Sequence, residues 1–300
     1  MTTVAEEPVR TSALEATPKG RSPSTIPSYI VVAFMAVVWS LPSLGLLINS
    51  FREPSSIRRS GWWSVFADLF DSATWTIQNY QTVLSDGFGN AFANSLAVTI
   101  PAVVIPITVA AFAAYAFAWM EFPARNIIFV IIVGLMVVPL QMAIIPIFRI
   151  YRGLDLNGTF PSVWLAHAGF GLPLAVYLLR NYMGSLPSSL IESAKIDGAG
   201  HYGIFTRLII PLSTPVLAAF AIFQFLWVWN DYLVALVFLG VVNPENAVLT
   251  VELATLAGRG EGALNLLPAA AFVTMVLPIV VFFALQRYFV RGLTAGSVKG

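Results

Sequence analysis

The stretch NSLAVTIPAVVIPITVAAFAAYAFAWM, residues Asn94–Met120, places the chain in a fold class because it contains no charged side chain. It lies within a longer uncharged interval, Gly87–Met120, and a helix needs only ~20 residues to cross a ~30 Å hydrocarbon layer. The whole chain is 58% hydrophobic and 10% charged, whereas soluble domains carry roughly 25% charged residues. These values favour an integral membrane protein over the alternative, a soluble protein with a very large core.

Uncharged intervals of this kind recur along the chain and predict six membrane-spanning helices. The predicted spans cover about residues 29–50, 92–118, 127–149, 163–183, 214–240 and 267–287. The alternating pattern of a membrane β-barrel is absent, and helices are then the structure that satisfies the backbone in lipid. The prediction is therefore an all-α integral membrane protein, with one six-helix domain over residues 29–290.

The distribution of Lys and Arg predicts the orientation of these spans. Cytoplasmic segments carry an excess of basic residues, and ten against six favours both termini inside. The cytoplasmic set is Arg10, Lys19, Arg21, Arg125, Arg180, Lys195, Arg207, Arg287, Arg291 and Lys299. The outer set is Arg52, Arg58, Arg59, Arg149, Arg152 and Arg259. Residues 1–28 are predicted to be a disordered cytoplasmic tail, and residues 291–300 a second cytoplasmic tail.

Sequence motifs of catalysis are missing. The three lysines, Lys19, Lys195 and Lys299, do not end a phosphate-binding G-x-x-x-x-G-K-[ST] loop. The two histidines, His167 and His201, do not form an H-E-x-x-H zinc site, and no nucleophile elbow accompanies His167. The sequence thus predicts no enzyme, no cofactor and no metal, and its net charge of +1 gives no reason to expect nucleic acid.

Polar residues inside the predicted spans are the candidates for a substrate path. Asp231, in FQFLWVWNDYLVALVF, is the one acid predicted well inside a membrane helix, and such an acid is a functional candidate by default. Its neighbours Gln224, Trp227, Trp229, Asn230 and Tyr232 combine amides with aromatic faces, which suit a sugar. The alternative is that Asp231 lies near an interface or only bonds between helices. Gln141 and His167 are weaker candidates of the same kind.

Other features of the spans and loops suggest motion. Six prolines lie inside predicted spans, and prolines tend to kink helices: Pro101, Pro106, Pro139, Pro146, Pro173 and Pro278. In the outer loop at about Val241–Leu266, Gly258, Gly260 and Gly262 predict a mobile second half.

The stretch ESAKIDGAGHYGIFTRLIIP, Glu192–Pro211, interrupts the apolar chain between spans four and five. Leu190, Ile191 and Ala194 predict an amphipathic helix, and Asp197-Gly198 predicts its end. A second amphipathic pattern follows, with Tyr202, Phe205, Ile209 and Leu212 on one stripe. The sequence therefore predicts helix, sharp turn, helix at about residues 186–213. Its apolar face suits a protein partner; the alternative is two helices that lie along the membrane surface.

This stretch resembles the EAA motif of binding-protein-dependent ABC importers, E-A-A-x-x-D-G-A followed by a distal I-x-L-P. The matching residues are Glu192, Ser193, Ala194, Asp197, Gly198 and Ala199, then Phe205, Leu208, Ile210 and Pro211. Ser193, Leu208 and Ile210 depart mildly from the motif. Across residues 29–300 the chain is similar to the maltose-type carbohydrate permeases, and NSLAVTIPAVVIPITVAAFAAYAFAWMEFP and VVPLQMAIIPIFRIY are most similar to α-glucoside permeases.

The resemblance implies a permease that pairs with a second, homologous permease around a translocation path. It also implies two cytoplasmic ATPases that supply energy and an extracytoplasmic binding protein that delivers sugar, with the loop around Gly258–Gly262 as a site for it. The ATPase-coupling residues would be Glu192, Ser193, Ala194, Asp197, Gly198, Ala199, Phe205 and Pro211. The alternatives are a secondary transporter or channel subunit, and an intramembrane enzyme, which the missing nucleophile disfavours.

Overall fold

The computed structural model describes residues 26–67, 74–240 and 244–294. These residues are almost entirely helical, and the β-structure among them is one isolated bridge between Arg52 and Trp75. The predicted tails, 1–28 and 291–300, lie mostly outside the described residues; their described ends, 26–28 and 291–294, are helical. Packing divides the chain into two units, Met1–Leu46 and Leu47–Gly300, and each is described by itself.

The helices run in the order α1 (Ile26–Ser50), α2 (Pro54–Arg59), α3 (Gln78–Val83), α4 (Gly89–Trp119), α5 (Arg125–Gly134), α6 (Leu140–Gly153), α7 (Phe160–Gly184), α8 (Ser188–Ile196), α9 (His201–Ile204), α10 (Ile210–Leu212), α11 (Thr214–Trp229), α12 (Leu233–Ala235), α13 (Leu249–Ala257) and α14 (Leu266–Thr294). Short 3₁₀ turns lie at Trp62–Phe66, Leu135–Val137, Pro244–Asn246 and Gly260–Ala263. Turns of π-helix lie at Leu84–Phe88, Phe205–Ile209 and Leu236–Gly240.

Four described helices are long and apolar enough to cross a membrane: Ile26–Ser50, Gln78–Trp119, Phe160–Gly184 and Leu266–Gln286. Two bent pairs meet the same criteria together. Arg125–Val137 meets Leu140–Gly153 at 104°, and His201–Leu212 meets Thr214–Trp229 at 71°. Counting each pair as one span gives six, so the predicted fold class, an all-α six-span membrane protein, is confirmed.

Two of the predicted spans are not continuous helices. The predicted span 127–149 breaks at Val138, which is extended (φ −70°, ψ 114°) because the following Pro139 disfavours helical backbone at the preceding position. The predicted span 214–240 ends as an α-helix at Trp229 and resumes at Leu233. The uncharged intervals predicted which segments lie in the membrane, but they did not predict that these two helices are interrupted.

Small residues allow α4 and α7 to pack closely in the centre of the second unit. Ala110 and Ala114 of α4 and Ala175 of α7 are fully buried, and they belong to one core cluster with Phe220 of α11. In membrane proteins, helices associate through this kind of close packing between small side chains. The three helices α4, α7 and α11 thus form the frame on which the candidate sites are built.

Carbonyls that prolines leave free in this frame accept hydrogen bonds from neighbouring helices, a role that the prediction of kinks did not include. A proline has no N–H, so the carbonyl four residues before it loses its helical partner. Pro101 frees the carbonyl of Ala97, and Trp164 Nε1 of α7 donates to that oxygen over 2.9 Å. The helix α4 consequently continues through Pro101 without a break.

Pro106 and Pro278 follow the same rule. Pro106 frees the carbonyl of Ala102, which accepts from Gln224 Nε2 of α11 at 3.2 Å. Pro278 frees the carbonyl of Thr274 in α14, which accepts from Trp229 Nε1 at 2.9 Å. Neighbouring side chains commonly satisfy carbonyls that prolines free in membrane helices. These bonds explain why α4 and α14 tolerate their prolines and how α11 is held in register between them.

A double-mutant cycle tests the pairing of Pro106 with Gln224. We expect Gln224→Leu to lower the free energy of unfolding by about 0.6–1.7 kcal/mol, the range measured for such bonds in membranes, because the Ala102 carbonyl loses its donor. Pro106→Ala supplies a backbone N–H to the same carbonyl, so Gln224→Leu should cost less in that background, where it removes only the bond to the His167 carbonyl. Unfolding of the four proteins in detergent measures the cycle, and an equal cost in both backgrounds would contradict the pairing.

Arg52 organises the connection that follows α1. Its side chain is 1% exposed and donates to the carbonyls of Ser56 and Ser60, the hydroxyls of Ser60 and Ser64, and Asn49 Oδ1. Burial lowers the pKa of the Arg52 guanidinium from its usual value, yet an arginine stays charged in proteins. The described residues that directly follow α1, up to Ser64, therefore fold around a buried cation.

The segment predicted as an outer loop, Val241–Leu266, contains helical elements in its described part. Residues 241–243 lie outside the described residues, but Leu249–Ala257 forms α13 and Gly260–Ala263 a 3₁₀ turn. Leu249, Leu256 and Ala263 are buried in a core cluster, and this burial orders the segment despite its glycines. Among the three glycines of the prediction, Gly260 has a positive φ, +60°.

Candidate functional sites: the Glu192–Pro211 hairpin and the Asp231 break

The stretch predicted as helix, turn, helix forms a hairpin, defined here as residues 186–213. Its first arm is α8, which ends at Asp197. Gly198 has φ +80° and donates its N–H to the carbonyl of Lys195 at 3.0 Å, while Ala199 donates to Ala194 at 2.9 Å. This pair of bonds is the Schellman motif, in which a left-handed residue satisfies the last carbonyls of a helix. The predicted sharp break at Asp197-Gly198 is thus a defined turn with its own hydrogen bonds.

The second arm of the hairpin packs on the bundle. Ile204, Phe205 and Ile209 are buried in the core cluster shared by α4 and α7. Phe205 stacks on Phe112, with ring centroids 4.6 Å apart. Of the predicted stripe, Phe205 and Ile209 pack into the core, whereas Tyr202 is 76% and Leu212 38% exposed. A π turn covers Phe205–Ile209, so the four residues do not follow a single 3.6-residue period.

The exposed side of the hairpin collects most of the predicted coupling residues. Glu192, Ser193, Asp197, Gly198 and Pro211 are exposed, and Ala194 and Ala199 are half-buried. A groove of about 530 Å³ lies between the arms, lined by Leu190, Ser193, Ala194, Asp197, Ala199, Gly200, Gly203, Ile204, Arg207 and Leu208. Beside the groove, the side chain of Ile196 is 85% exposed. An apolar tip next to a groove with both charges is a surface that suits a protein partner.

Two residues of the hairpin differ from expectation. Phe205 was predicted with the coupling residues, but its side chain is 6% exposed and reaches α4 instead of the surface. Arg207 was not predicted, yet it lines the groove together with Asp197. The charge of Arg207 was visible in the sequence, but only the path of the second arm brings it to the groove opposite α8.

The second candidate site is the break that follows α11. Asn230 has φ −89° and ψ 0°, and Asp231 is followed by the short helix α12. The Asp231 carboxylate accepts a hydrogen bond from the backbone N–H of Ala235, with Oδ2 at 3.0 Å. The prediction that Asp231 lies inside a helix is wrong: its carboxylate caps the start of a new helical segment, as acidic side chains do at helix N-termini.

Asp231 also joins two other elements. Its Oδ2 lies 3.7 Å from Nε2 of His167 in α7, a residue that is 1% exposed, and its backbone carbonyl accepts from Thr250 Oγ1 of α13 at 2.6 Å. Neither ring nitrogen of His167 has a hydrogen-bond partner within the described residues. The ring of Trp227 packs edge-on against His167 at 5.3 Å. The break is therefore a node that connects α7, α11, α12 and α13.

The predicted substrate-path residues divide into two groups. Gln224 and Trp229 are buried and donate to the carbonyls freed by Pro106 and Pro278. They hold helices together, and the prediction that they line a path is not supported. Gly171 allows this packing, because a Cβ there would lie 2.6 Å from Gln224 Oε1.

The second group lies at the break or beside it. Asn230 and Tyr232 are exposed. Trp227 lines a cavity of about 220 Å³ together with Met136, Phe170, Gly171, Leu174 and Phe223. Gln141 is exposed on α6 and is not among the residues that line this cavity. Trp227 and Asp231 thus both lie next to His167, and Gln224 bonds to the carbonyl of the same residue.

Comparison with known families gives one match over most of the chain. Residues 106–295 match the model of the binding-protein-dependent transport system inner membrane component. The matched region contains the hairpin, the Asp231 break, the part of α4 from Pro106 onward and the helices α5 to α14.

Curated relatives cover the chain almost end to end. The osmoprotective compounds uptake permease protein GgtD of Synechocystis is 54% identical, over 91% of this chain and 92% of its own length. The α-glucoside transport system permease protein AglG of Rhizobium meliloti is 40% identical, over 94% and 99%. The arabinooligosaccharides transport system permease protein AraQ of Halalkalibacterium halodurans is 33% identical, over 93% and 99%.

Solved structures share the fold. A chain of a bacterial ABC transporter that imports the acidic polysaccharide alginate superposes with a TM-score of 0.72 at 23% identity, over 91% of this chain and 100% of its own length. A second alginate transporter structure, in complex with a pentasaccharide-bound periplasmic protein, gives 0.61 at 14% identity, over 88% and 95%. At these identities the likeness shows the fold alone.

Proposed function

The chain belongs to the binding-protein-dependent transport system inner membrane components, and from this premise we propose that it is a permease subunit of an ABC importer that moves a carbohydrate inward. In this proposal the chain has no ATPase activity of its own. Two ABC ATPase subunits hydrolyse ATP, and a second homologous permease completes the translocation path. An extracytoplasmic binding protein delivers the substrate.

The hairpin is the observation that carries this proposal. A short helix ended by a Schellman turn presents exposed Glu192, Asp197 and Ile196, while the other arm is fixed to the core through Phe205 and Ile209. Such a hairpin does not deform easily when its tip is pushed, because both of its ends are anchored. We propose that one ATPase binds the tip and the groove, with Phe205 acting from inside to fix the second arm.

The relatives support a carbohydrate and favour α-glucosides as the first compounds to test. AglG is a permease for α-glucosides and AraQ for arabinooligosaccharides. A second candidate class is an osmoprotective compound, because GgtD is 54% identical to this chain. At the break, the rings of Trp227 and Tyr232 and the amide of Asn230 offer the stacking and hydrogen bonds that a neutral polyhydroxylated substrate needs.

Orientation and location complete the proposal. The excess of basic residues in alternate segments supports cytoplasmic termini and a cytoplasmic hairpin in a bacterial or archaeal plasma membrane. The segment at Pro244–Ala257 would then face the extracytoplasmic side, where it is available to the binding protein.

Reconstitution tests the function and the substrate class together. The complete transporter in proteoliposomes is expected to take up labelled maltose or trehalose only when ATP is inside the liposomes and the binding protein outside. Glycine betaine, an osmoprotective compound that is not a sugar, separates the two substrate classes. Uptake driven by an ion gradient without ATP would contradict the proposal and favour a secondary transporter.

A further inference from the structure

One helix, α4, carries polar contacts to other elements at both of its ends. Near its C-terminus, Tyr115 Oη lies 2.9 Å from Nδ1 of His201 in the hairpin. Near its N-terminus, Asn94 Nδ2 donates to the carbonyls of Glu245 and Ala247 in the segment that precedes α13, at 2.9 and 3.0 Å. The same helix therefore contacts both the hairpin, to which the proposed function assigns the ATPase, and the segment before α13, to which it assigns the binding protein.

The contact with the hairpin fixes both the position and the rotation of its second arm. Tyr115 meets His201 by hydrogen bond and Phe205 by ring contact at 5.3 Å, and Phe112 stacks on Phe205. The two hairpin residues are one turn apart, and so are the two residues of α4. An arm held at one point pivots, whereas an arm held at two points moves with the helix that holds it.

The contact at the other end is also double. The backbone N–H of Leu249, the first residue of α13, donates to Ser95 Oγ at 2.9 Å, and this bond is buried. Together with the bonds from Asn94 it orders residues 245–249 on the second turn of α4. A displacement of this end of α4 along its axis would therefore displace the start of α13.

The helix between these contacts is continuous. Twenty-one residues separate Asn94 from Tyr115, which at ~1.5 Å per residue corresponds to about 32 Å along the axis. The carbonyls freed by Pro101 and Pro106 are bound by Trp164 and Gln224, so neither proline leaves a soft point with an unpaired carbonyl. A helix braced in this way can pass a displacement from one end to the other.

We propose that α4 transmits movement of the hairpin to the Pro244–Leu249 segment, with the Tyr115–His201 hydrogen bond as the positioning contact. This inference rests on the proposed function, in which an ATPase moves the hairpin and the binding protein meets the other segment. Coupling between distant sites requires an element whose arrangement both sites influence, and α4 contacts both. Tyr115 and His201 act here through α4 and touch no substrate.

The chain offers a matched control on a different helix. Tyr182 of α7 donates its hydroxyl to the carbonyl of Leu212 at 3.2 Å, so Tyr182→Phe also removes one hydrogen bond between the bundle and the hairpin. Tyr115→Phe keeps the ring contact with Phe205 and removes the bond to His201. His201→Gln retains a side-chain acceptor for Tyr115, whereas His201→Leu does not.

The test uses the complete transporter in lipid nanodiscs and measures ATP hydrolysis with and without substrate-loaded binding protein. Tyr115→Phe and His201→Leu are expected to keep basal hydrolysis within about twofold and to reduce the stimulation by at least about fivefold. His201→Gln and Tyr182→Phe should retain most of the stimulation. Asn94→Ala should match Tyr115→Phe, and the double variant should be no worse than either single variant, because both changes interrupt one route.

Each other outcome contradicts a distinct statement. A wild-type transporter without binding-protein-stimulated hydrolysis or ATP-driven uptake would overturn the proposed function. A wild type that is stimulated, together with a fully stimulated Tyr115→Phe variant, would overturn the role of α4 and leave the function intact. An equal defect in Tyr182→Phe, additive defects in the double variant, or loss of ATPase copurification with Tyr115→Phe would show that these residues only hold the hairpin in place.

Discussion

Replacing Gly198 by proline is expected to reduce uptake by more than about tenfold while the protein remains in the membrane. Proline fixes φ near −65°, but Gly198 has φ +80° and donates its N–H to the carbonyl of Lys195. The substitution therefore removes the Schellman turn that ends α8. Because the second arm is held by its own core contacts, the damage should stay at the tip. Uptake by whole cells, normalised to the amount of protein in the membrane, measures the effect.

A graded series at Gly198 separates backbone conformation from side-chain contacts. An added Cβ would meet no atom of this chain within 4 Å, so Gly198→Ala tests the left-handed backbone, whereas Gly198→Pro also removes the N–H that bonds to Lys195. Asparagine tolerates that conformation, whereas other residues lose roughly 1–2 kcal/mol in it. We expect uptake to fall in the order Gly198→Asn, Gly198→Ala, Gly198→Pro. Equal, near-normal uptake by all three would contradict the proposal that a defined turn is needed.

Glu192→Ala is the companion variant on the surface of the hairpin. The Glu192 side chain is exposed, and no hydrogen bond or ion pair to it occurs among the described residues, so its loss should not change folding. A fall in uptake and in copurification of the ATPase, at unchanged thermal stability, is therefore expected. Normal uptake at equal expression would remove Glu192 from the docking surface.

Asp231→Ala is expected to show the second large effect, a loss of about tenfold or more in transport. The Asp231 carboxylate accepts from Ala235 N–H and lies 3.7 Å from His167 Nε2, so the variant removes both the acceptor of the Ala235 N–H and the carboxylate beside His167. Loss of a capping side chain costs about 0.5–2 kcal/mol of stability. In Asp231→Ala this loss would destabilise the break between α11 and α12, where Asn230 and Tyr232 lie. Initial rates of uptake in proteoliposomes measure the effect.

Asp231→Asn distinguishes the cap from the charge. Asparagine keeps an oxygen for the N–H of Ala235 but removes the negative charge beside His167. If Asp231 serves mainly as the cap, Asp231→Asn should retain most of the transport rate that Asp231→Ala loses. Equal loss in both variants would assign the effect to the charge instead, and unchanged rates in both would make Asp231 dispensable for transport.

The features that depend on local composition could be predicted from the sequence. Uncharged intervals predicted six spans, because a charged residue in lipid is so costly that membrane-spanning segments rarely contain one. The Asp197-Gly198 pair gave the end of α8, because the left-handed backbone of this turn favours glycine and the bonds that close it join neighbours in the chain. The resemblance to the EAA motif then gave the family.

Features that depend on partners far along the chain could not be predicted. The sequence predicted Gln224 on a path because it is an amide in an apolar span, but it could not show that Gln224 donates to the carbonyls of Ala102 and His167, 122 and 57 residues earlier. Phe205 was predicted among the coupling residues, but its ring stacks on Phe112 in the core. Asp231 was expected inside a helix, whereas it lies between α11 and α12 and accepts from the N–H of Ala235.

The amino-acid sequence by itself therefore determined that this chain lies in a membrane as helices, where its hairpin turns, and to which family it belongs. Each of these follows from hydrophobicity, charge or backbone preference within a few residues. Only the tertiary structure decided which polar side chains are free to act. A polar side chain in the low-dielectric interior must find a hydrogen-bond partner, because an unpaired polar group there is costly. The packing of α4, α7, α11 and α14 decides which donor lies next to which acceptor, and therefore which polar side chains remain free.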